Sequence, residues 1–122
     1  MILAFLAALI ADPASVVGFY RSNTMEVGAA IELQADGTFL YGLDYGAVSE
    51  QAEGTWTMDG NRVLITATKL QGAWRGEKLE RTPLVIEGNS LILQRYDRAI
   101  RFDRDADLVP PPNRNNRLDK GN

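Results

Sequence analysis

One turn chemistry occurs three times in this chain, each time between two apolar runs of strand length. The three copies are Asp36-Gly37-Thr38, Asp59-Gly60-Asn61 and Glu87-Gly88-Asn89. An Asp-Gly or Gly-Asn pair supplies the positive φ angles that tight β-hairpin turns require. Hairpins that repeat at this interval predict an antiparallel meander, which closes most easily into a small barrel.

Apolar and polar residues alternate along the runs between these turns. The odd positions from Met25 to Leu33 are apolar, whereas the even positions include Glu26 and Glu32. In the next run, one face carries Phe39, Tyr41, Leu43 and Tyr45. A period of two residues is the pattern of a half-buried strand. The sequence therefore predicts an all-β fold, an up-and-down meander of about eight antiparallel strands between residues 16 and 103, the first over 16–20.

At 122 residues the chain has room for one domain. We predict a β-barrel domain over residues 12–103. Within it, glycines and charges interrupt the alternation over 69–81, which predicts a long loop or an irregular hairpin. Residues 104–122 contain three consecutive prolines and few apolar side chains, and this composition predicts a disordered tail.

Residues 1–11 form an uninterrupted apolar stretch that is too short to span a bilayer. It is typical of the apolar core of a secretory signal peptide with a cleavage site after Ala11. No Lys or Arg precedes the stretch, which a start site placed too late in the gene would explain. The signal interpretation predicts a periplasmic or secreted protein. The alternative is a short amino-terminal helix that closes the barrel.

The chain has a formal net charge of −3 and contains neither cysteine nor histidine. The chain lacks the net positive charge that attracts nucleic acids and anionic membranes, so we expect neither as a partner. The commonest metal ligand and the commonest general base are both missing. The sequence also shows no phosphate-binding glycine loop and no nucleophile–base pair. We therefore expect no enzymatic activity, no catalytic residue, no metal and no cofactor.

Three segments carry a resemblance to a known group of proteins. They are the opening Gly18-Phe19-Tyr20, the hairpin 33–39, and Gly54-Thr55-Trp56 followed by Gly60-Asn61. Over roughly residues 16–103 the chain resembles the lipocalin-like (calycin) group of small secreted bacterial domains of uncharacterised function. The resemblance implies an eight-stranded up-and-down barrel that can hold one small ligand in its mouth.

Aromatic residues with inward parity, and one methionine, are the candidate ligand-binding residues. Their side chains offer apolar area to a ligand, and the polar tips of the rings can fix its orientation. The set comprises Tyr20, Tyr41, Tyr45, Trp56 and Met58. Tyr45 lies at the end of its strand, where the mouth of a barrel would be. The alternative is that these residues form the core, with each polar tip bonded to a carbonyl group or to water.

Two groups of charged residues have alternative interpretations. Asp44, Glu50 and Glu53 are near one another in the sequence, and neighbouring carboxylates can perform acid–base chemistry when their pKa values separate. Solvated side chains beside a hairpin loop are the simpler interpretation. Arginine recurs at every third position from Arg95 to Arg104 with aspartates between, which predicts local ion pairs, with an anion site as the alternative.

These observations lead to two functional hypotheses. The first is a non-enzymatic, exported lipocalin-like module that binds a small apolar ligand or an envelope partner. The second is a structural or protein-interaction module with a filled interior, which would use an outer strand edge or the 69–81 loop with Trp74 as an exposed anchor. A ligand cavity at Tyr45 and Trp56 would favour the first hypothesis, and a sealed core with an exposed Trp74 the second.

Overall fold

The computed structural model describes residues 12–24 and 26–105. Over these residues the chain forms eight antiparallel strands in sequential order, closed into a barrel by pairing of the first strand with the last. The strands are β1 (Gly18–Asn23), β2 (Val27–Leu33), β3 (Thr38–Tyr45), β4 (Val48–Asp59), β5 (Arg62–Gln71), β6 (Thr82–Glu87), β7 (Ser90–Arg95) and β8 (Arg98–Arg104). The predicted all-β meander and its closure into a small barrel are confirmed. The predicted signal segment 1–11, Met25 and residues 106–122 of the predicted tail lie outside the described residues.

A short helix, α1 (Pro13–Val16), precedes the first strand. Asp12 caps it by accepting a hydrogen bond from the Ala14 N–H at 3.0 Å, and Pro13 occupies the first turn, where a missing N–H costs nothing. Because these residues start a helical turn, β1 begins at Gly18, and the predicted bounds of 16–20 are wrong. In the described part of the chain, no helix is long and apolar enough to cross a membrane.

The connections between strands lie alternately at opposite ends of the barrel. The closed end comprises α1 and the turns at Gly37, Gly60 and Gly88. The mouth comprises the turn 46–47, the loop 72–81 with a 3-10 turn at Trp74–Gly76, and the turn 96–97. All three copies of the repeated turn chemistry therefore lie at the closed end.

Inward side chains from the strands fill the interior. Along β4 the buried positions alternate with exposed ones, as the sequence predicts. Side chains with almost no exposed surface include Ile31, Leu33, Phe39, Ile65, Leu84, Leu93 and Phe102. Each large apolar side chain that is buried contributes about 1.5–3 kcal/mol to folding. The side chains of the barrel's own strands therefore occupy its centre.

A β-bulge bends the longest hairpin of the barrel. The register of β4 against β5 shifts between Glu53 and Gly54. A Cβ atom added at Gly54 would overlap the main-chain carbonyl oxygen of Thr66, so the close approach of the two strands requires glycine. Bulges increase the local bend and twist of a ribbon, which helps a small sheet to close on itself.

The seam between β1 and β8 is short. In the described residues its register pairs join Tyr20 to Arg104 and Arg21 to Asp103. Towards the mouth the two strands diverge around a cleft of about 230 Å³. A partner protein that binds through an outer strand edge of the sheet would bind here.

Arg104 ties the seam to α1 at the closed end. Its Nη2 atom donates to the carbonyl oxygens of Ser15 at 2.6 Å and Val17 at 3.0 Å, and to the Tyr20 hydroxyl at 2.9 Å. Its guanidinium carbon lies 5.3 Å from the centre of the Tyr20 ring. The strand reaches one residue beyond the predicted domain boundary at 103, and that residue closes this end of the barrel.

Candidate functional site at the mouth of the barrel

The predicted ligand-binding set does not come together in one place. Tyr20 and Trp56 are buried near the closed end, where each donates to a main-chain carbonyl, at 2.7 and 2.9 Å respectively. Met58 is half-buried against the core near the same end. Tyr41 is buried further towards the mouth, and Tyr45 is half-buried at the mouth itself. The role of these side chains as ligand contacts stays a prediction.

An ion pair between Glu50 and Arg95 lies inside the barrel beneath the mouth. Their side chains are 0% and 3% exposed, respectively. Arg95 Nε donates to Glu50 Oε1 at 2.7 Å and Arg95 Nη2 to Oε2 at 2.8 Å, which is the two-point geometry of a strong arginine–carboxylate pair. The hydroxyls of Tyr41 and Tyr96 add hydrogen bonds of 2.7 Å to Oε1 and 2.8 Å to Oε2. Each carboxylate oxygen thus accepts two hydrogen bonds, which compensates for its lost hydration.

The strand pattern explains why both charges point inward. Glu50 lies two residues before the inward Ala52 on β4, and Arg95 lies two residues after the inward Leu93 on β7. The sequence analysis grouped Glu50 with Asp44 and Glu53, and Arg95 with the other arginines of its series, so it did not predict this pair. One further step of the same two-residue period in each strand is the signal that could have found it.

Burial and hydrogen bonding act in opposite directions on the ionisation of this pair. Burial disfavours the charged form of Glu50, but hydrogen bonds from Arg95, Tyr41 and Tyr96 outweigh it and hold the pKa of the carboxyl below its usual value. Burial and the adjacent carboxylate raise the pKa of the Tyr41 hydroxyl. Glu50 is therefore charged at neutral pH, and its oxygens are already occupied by donors from the protein.

The other predicted charge groups separate in the fold. Asp44 and Glu53 are exposed on the outer surface, so the structure does not bring them together with the buried Glu50. In the arginine series, Arg101 pairs with Asp103 at 3.3 Å, an exposed ion pair of the predicted local kind. Arg98 instead pairs with Glu26, 72 residues away in the sequence, at 2.6 Å.

The buried pair also holds the loop 72–81 across the mouth. Arg95 donates from Nη1 to the carbonyl oxygen of Lys78 and from Nη2 to that of Glu77, both at 3.1 Å. Leu79 is buried, and its carbonyl oxygen accepts from the Ala67 N–H at 2.8 Å. The loop thus has both a polar and an apolar attachment to the barrel.

Trp74 lies on this loop, and 43% of its surface is exposed. Its main-chain N–H donates to the Tyr96 hydroxyl at 2.9 Å, and the same hydroxyl donates to Glu50. The rings of Trp74 and Tyr96 meet edge to face, with centres 5.8 Å apart. An exposed aromatic side chain is therefore connected through one hydroxyl to the buried ion pair.

A pocket of about 330 Å³ opens beside Trp74, and we call it the mouth pocket. It is lined by Tyr45, Val48, Trp74, Arg75, Tyr96 and Asp97. Tyr45 and Trp74, which the sequence proposed for two separate functions, therefore line the same pocket. Guanidinium groups lie against two of its rings: the Arg75 carbon is 3.9 Å from the Trp74 ring centre, and that of Arg98 is 4.9 Å from Tyr45.

The backbone of the mouth pocket is strained. Arg75, Tyr96 and Asp97 have φ angles of 58°, 53° and 60°. A left-handed conformation costs roughly 1–2 kcal/mol for a residue such as Arg75 or Tyr96, whereas aspartate tolerates it better. Strained residues tend to cluster at functional sites, because only tertiary contacts keep them in place.

A larger groove, of about 580 Å³, lies on the outer face of the barrel across β1 to β5. Ala30 and Gly42 form its floor, and Phe19 and Leu40 line it from the same side of the sheet. Its small floor residues leave the outer face concave. The buried network does not reach this surface, so the mouth pocket remains the better-organised site.

Comparison with known proteins adds no assignment. No protein-family model matches the chain, and no curated protein matches it. Among residues 12–24 and 26–105, no group of three or more potential ligand side chains is placed to hold a metal ion. The candidate site therefore rests on the geometry of the mouth.

Proposed function

We propose that this chain is a non-enzymatic, exported, lipocalin-like binding module whose recognition element is the mouth pocket. The observation that carries the proposal is Trp74, which is exposed yet anchored through Tyr96 to the buried Glu50. Tryptophan is among the residues most enriched where binding energy concentrates. Fixing such a side chain in advance reduces the entropy that is lost on binding.

A filled interior with an exposed Trp74 is the outcome expected for the protein-interaction alternative. The pocket that Trp74 shares with Tyr45 supports binding at the mouth rather than at the centre of the barrel. A barrel of eight strands is just wide enough for its own side chains to fill it. A ligand at the centre would have to displace buried residues such as Phe39, Leu93 and Phe102. The mouth pocket needs no such rearrangement.

The state of Glu50 supports binding over catalysis. Its two oxygens accept four hydrogen bonds from Arg95, Tyr41 and Tyr96. A general base needs a free lone pair within reach of the proton that it removes. The export part of the proposal rests on the apolar residues 1–11.

A thermal-shift screen tests where ligands bind. The probes are small aromatic compounds and long-chain fatty acids, and a compound that binds only the folded protein raises its Tm. We expect aromatic compounds to raise the Tm of the native sequence and to lose that effect in Trp74→Ala.

Leu40→Ala is the matched control, because Leu40 is a similarly exposed apolar residue on the outer face of β3. It should retain the ligand-induced shift in full. Fatty acids that stabilise the Trp74→Ala variant as well as the native sequence would place the ligand in the interior instead. The absence of any shift that depends on Trp74 would also contradict the proposal.

A further inference from the structure

Two opposite charges line the mouth pocket without pairing. In the described residues, the side chains of Arg75 and Asp97 take part in no ion pair and no hydrogen bond, either with each other or with another group. Other charges around the mouth are paired, such as Arg98 with Glu26 and Glu77 with Arg95. The pocket therefore presents one positive group, the Arg75 guanidinium that lies against the Trp74 ring, and one negative group, and neither is in an ion pair.

This pair of charges discriminates between classes of ligand. An anion drawn to Arg75 would meet the carboxylate of Asp97, and a cation drawn to Asp97 would meet the guanidinium of Arg75. A neutral compound would use neither group. A small zwitterion can satisfy both charges at once, and opposed charges in a site reject ligands that carry only one of them.

The other residues that line the pocket determine the size and polarity of the rest of the ligand. Tyr45, Val48, Trp74 and Tyr96 present apolar surface. The volume of about 330 Å³ is at the lower end of the range of about 300–1,000 Å³ for small-molecule pockets, which favours a small ligand. The apolar part of the ligand should therefore be one side chain or ring.

We propose that the mouth pocket binds a small zwitterion with an apolar side chain, of the class of free α-amino acids. The ligand's carboxylate lies against Arg75, its ammonium group against Asp97, and its side chain against the rings. This proposal rests on the proposed function and adds the chemical class of the ligand. The left-handed backbone at Arg75, which the fold maintains at a cost, supports it.

Calorimetric titration of the intact protein with three probes tests the charge requirement. The probes are L-phenylalanine, its N-acetyl derivative, which has no ammonium group, and its amide, which has no carboxylate. We expect L-phenylalanine to bind with saturation and each analogue to bind at least about tenfold more weakly. Equal affinities for the three probes would overturn the proposal, as would no binding of L-phenylalanine at millimolar concentration.

Two variants test which residue of the pocket binds which charged group of the ligand. Asp97→Asn keeps a residue that tolerates the left-handed turn. It should weaken the binding of L-phenylalanine at least about tenfold and shift the binding preference towards the N-acetyl derivative. Arg75→Gln should shift it towards the amide. Arg101→Gln, an exposed arginine on β8 away from the pocket, should change nothing. Unchanged preferences in both pocket variants would overturn the proposal.

The failure of this proposal can be distinguished from the failure of the proposed function. If aromatic compounds stabilise the protein through Trp74 while the three probes bind equally or not at all, the mouth is a binding site for another class of ligand. If Trp74→Ala also has no effect on any stabilising compound, both proposals fail.

Discussion

The two ends of the barrel use hairpins of the same kind but build them differently. At the closed end, glycine supplies the positive φ angle in each of the three repeated turns. At the mouth, Gly46 supplies it in the turn between β3 and β4, but the turn between β7 and β8 places Tyr96 and Asp97 in that conformation. Local preference is enough to form the first kind of turn, whereas the second depends on contacts from the rest of the fold.

The ends also differ in how they satisfy buried polar groups. The closed end uses hydrogen bonds to main-chain carbonyls, from Tyr20, Trp56 and Arg104. The mouth uses the ion pair of Glu50 and Arg95. A buried ion pair adds little net stability over apolar packing, yet removing one partner is strongly destabilising. The comparison indicates that the mouth is kept in one defined shape rather than made as stable as possible.

The largest expected effect comes from breaking the ion pair. Glu50→Gln should lower the free energy of unfolding by about 3 kcal/mol, because the buried Arg95 would keep only the exposed carboxylate of Glu77, at 3.7 Å, as a counter-charge. Urea denaturation at neutral pH measures it. Glu53→Gln, on the same strand but exposed, should stay within about 0.5 kcal/mol of the native sequence. Equal effects of the two substitutions would show that the mouth does not depend on this pair.

A smaller effect should appear in acid. Because the pKa of Glu50 is lower in the folded protein than in the unfolded chain, the unfolded chain takes up the proton first as the pH falls. The contribution to stability is complete above the usual glutamate pKa and is lost as the pH falls through the lower folded-state value. Urea denaturation from neutral to acid pH should therefore give a flatter profile for Glu50→Gln than for the native sequence and Glu53→Gln. Three parallel profiles would contradict this assignment.

The smallest effects should separate the two kinds of turn. Gly88→Ala places a Cβ in open space, so its expected loss of about 1 kcal/mol reflects only the left-handed backbone. Asp97→Gly relieves the same strain at the mouth and should leave the stability within about 0.5 kcal/mol of the native sequence, or raise it. Thermal unfolding of both variants provides the measurement. A loss in Asp97→Gly as large as that in Gly88→Ala would show that Asp97 stabilises the mouth beyond its backbone.

The fold could be predicted because its signals are local. Turn glycines and the two-residue alternation depend only on neighbours in the sequence, and together they indicate strands, their faces and their order. The bounds of β1 were missed because Asp12 and Pro13 favour a helical turn directly before it. This preference acts over only a few residues, so the error is confined to the entry of the barrel.

The candidate site was only partly accessible from the sequence. Tyr45 and Trp74 could each be selected, one as an aromatic residue at a strand end and the other as an aromatic residue within a charged loop. Their meeting in one pocket depends on closure of the barrel, which no local pattern encodes. Tyr96 opposes the residue preference of its own turn, and the contacts that hold it there come from distant residues: the hydrogen bonds of its hydroxyl with Glu50 and Trp74 and the ring contact with Trp74.

The ion pair has a consequence for the order in which the chain acquires its parts. Glu50 and Arg95 are 45 residues apart, on strands that are not neighbours in the barrel. During synthesis, the glycine hairpins can form as soon as their flanking strands emerge. The ion pair between Glu50 and Arg95 cannot form until β7 is complete. A truncated chain that ends before β7 would contain hairpins but would lack Arg95, Tyr96 and Asp97, and with them the mouth pocket. The mouth pocket can therefore assemble only after β7 and the turn that follows it have been made.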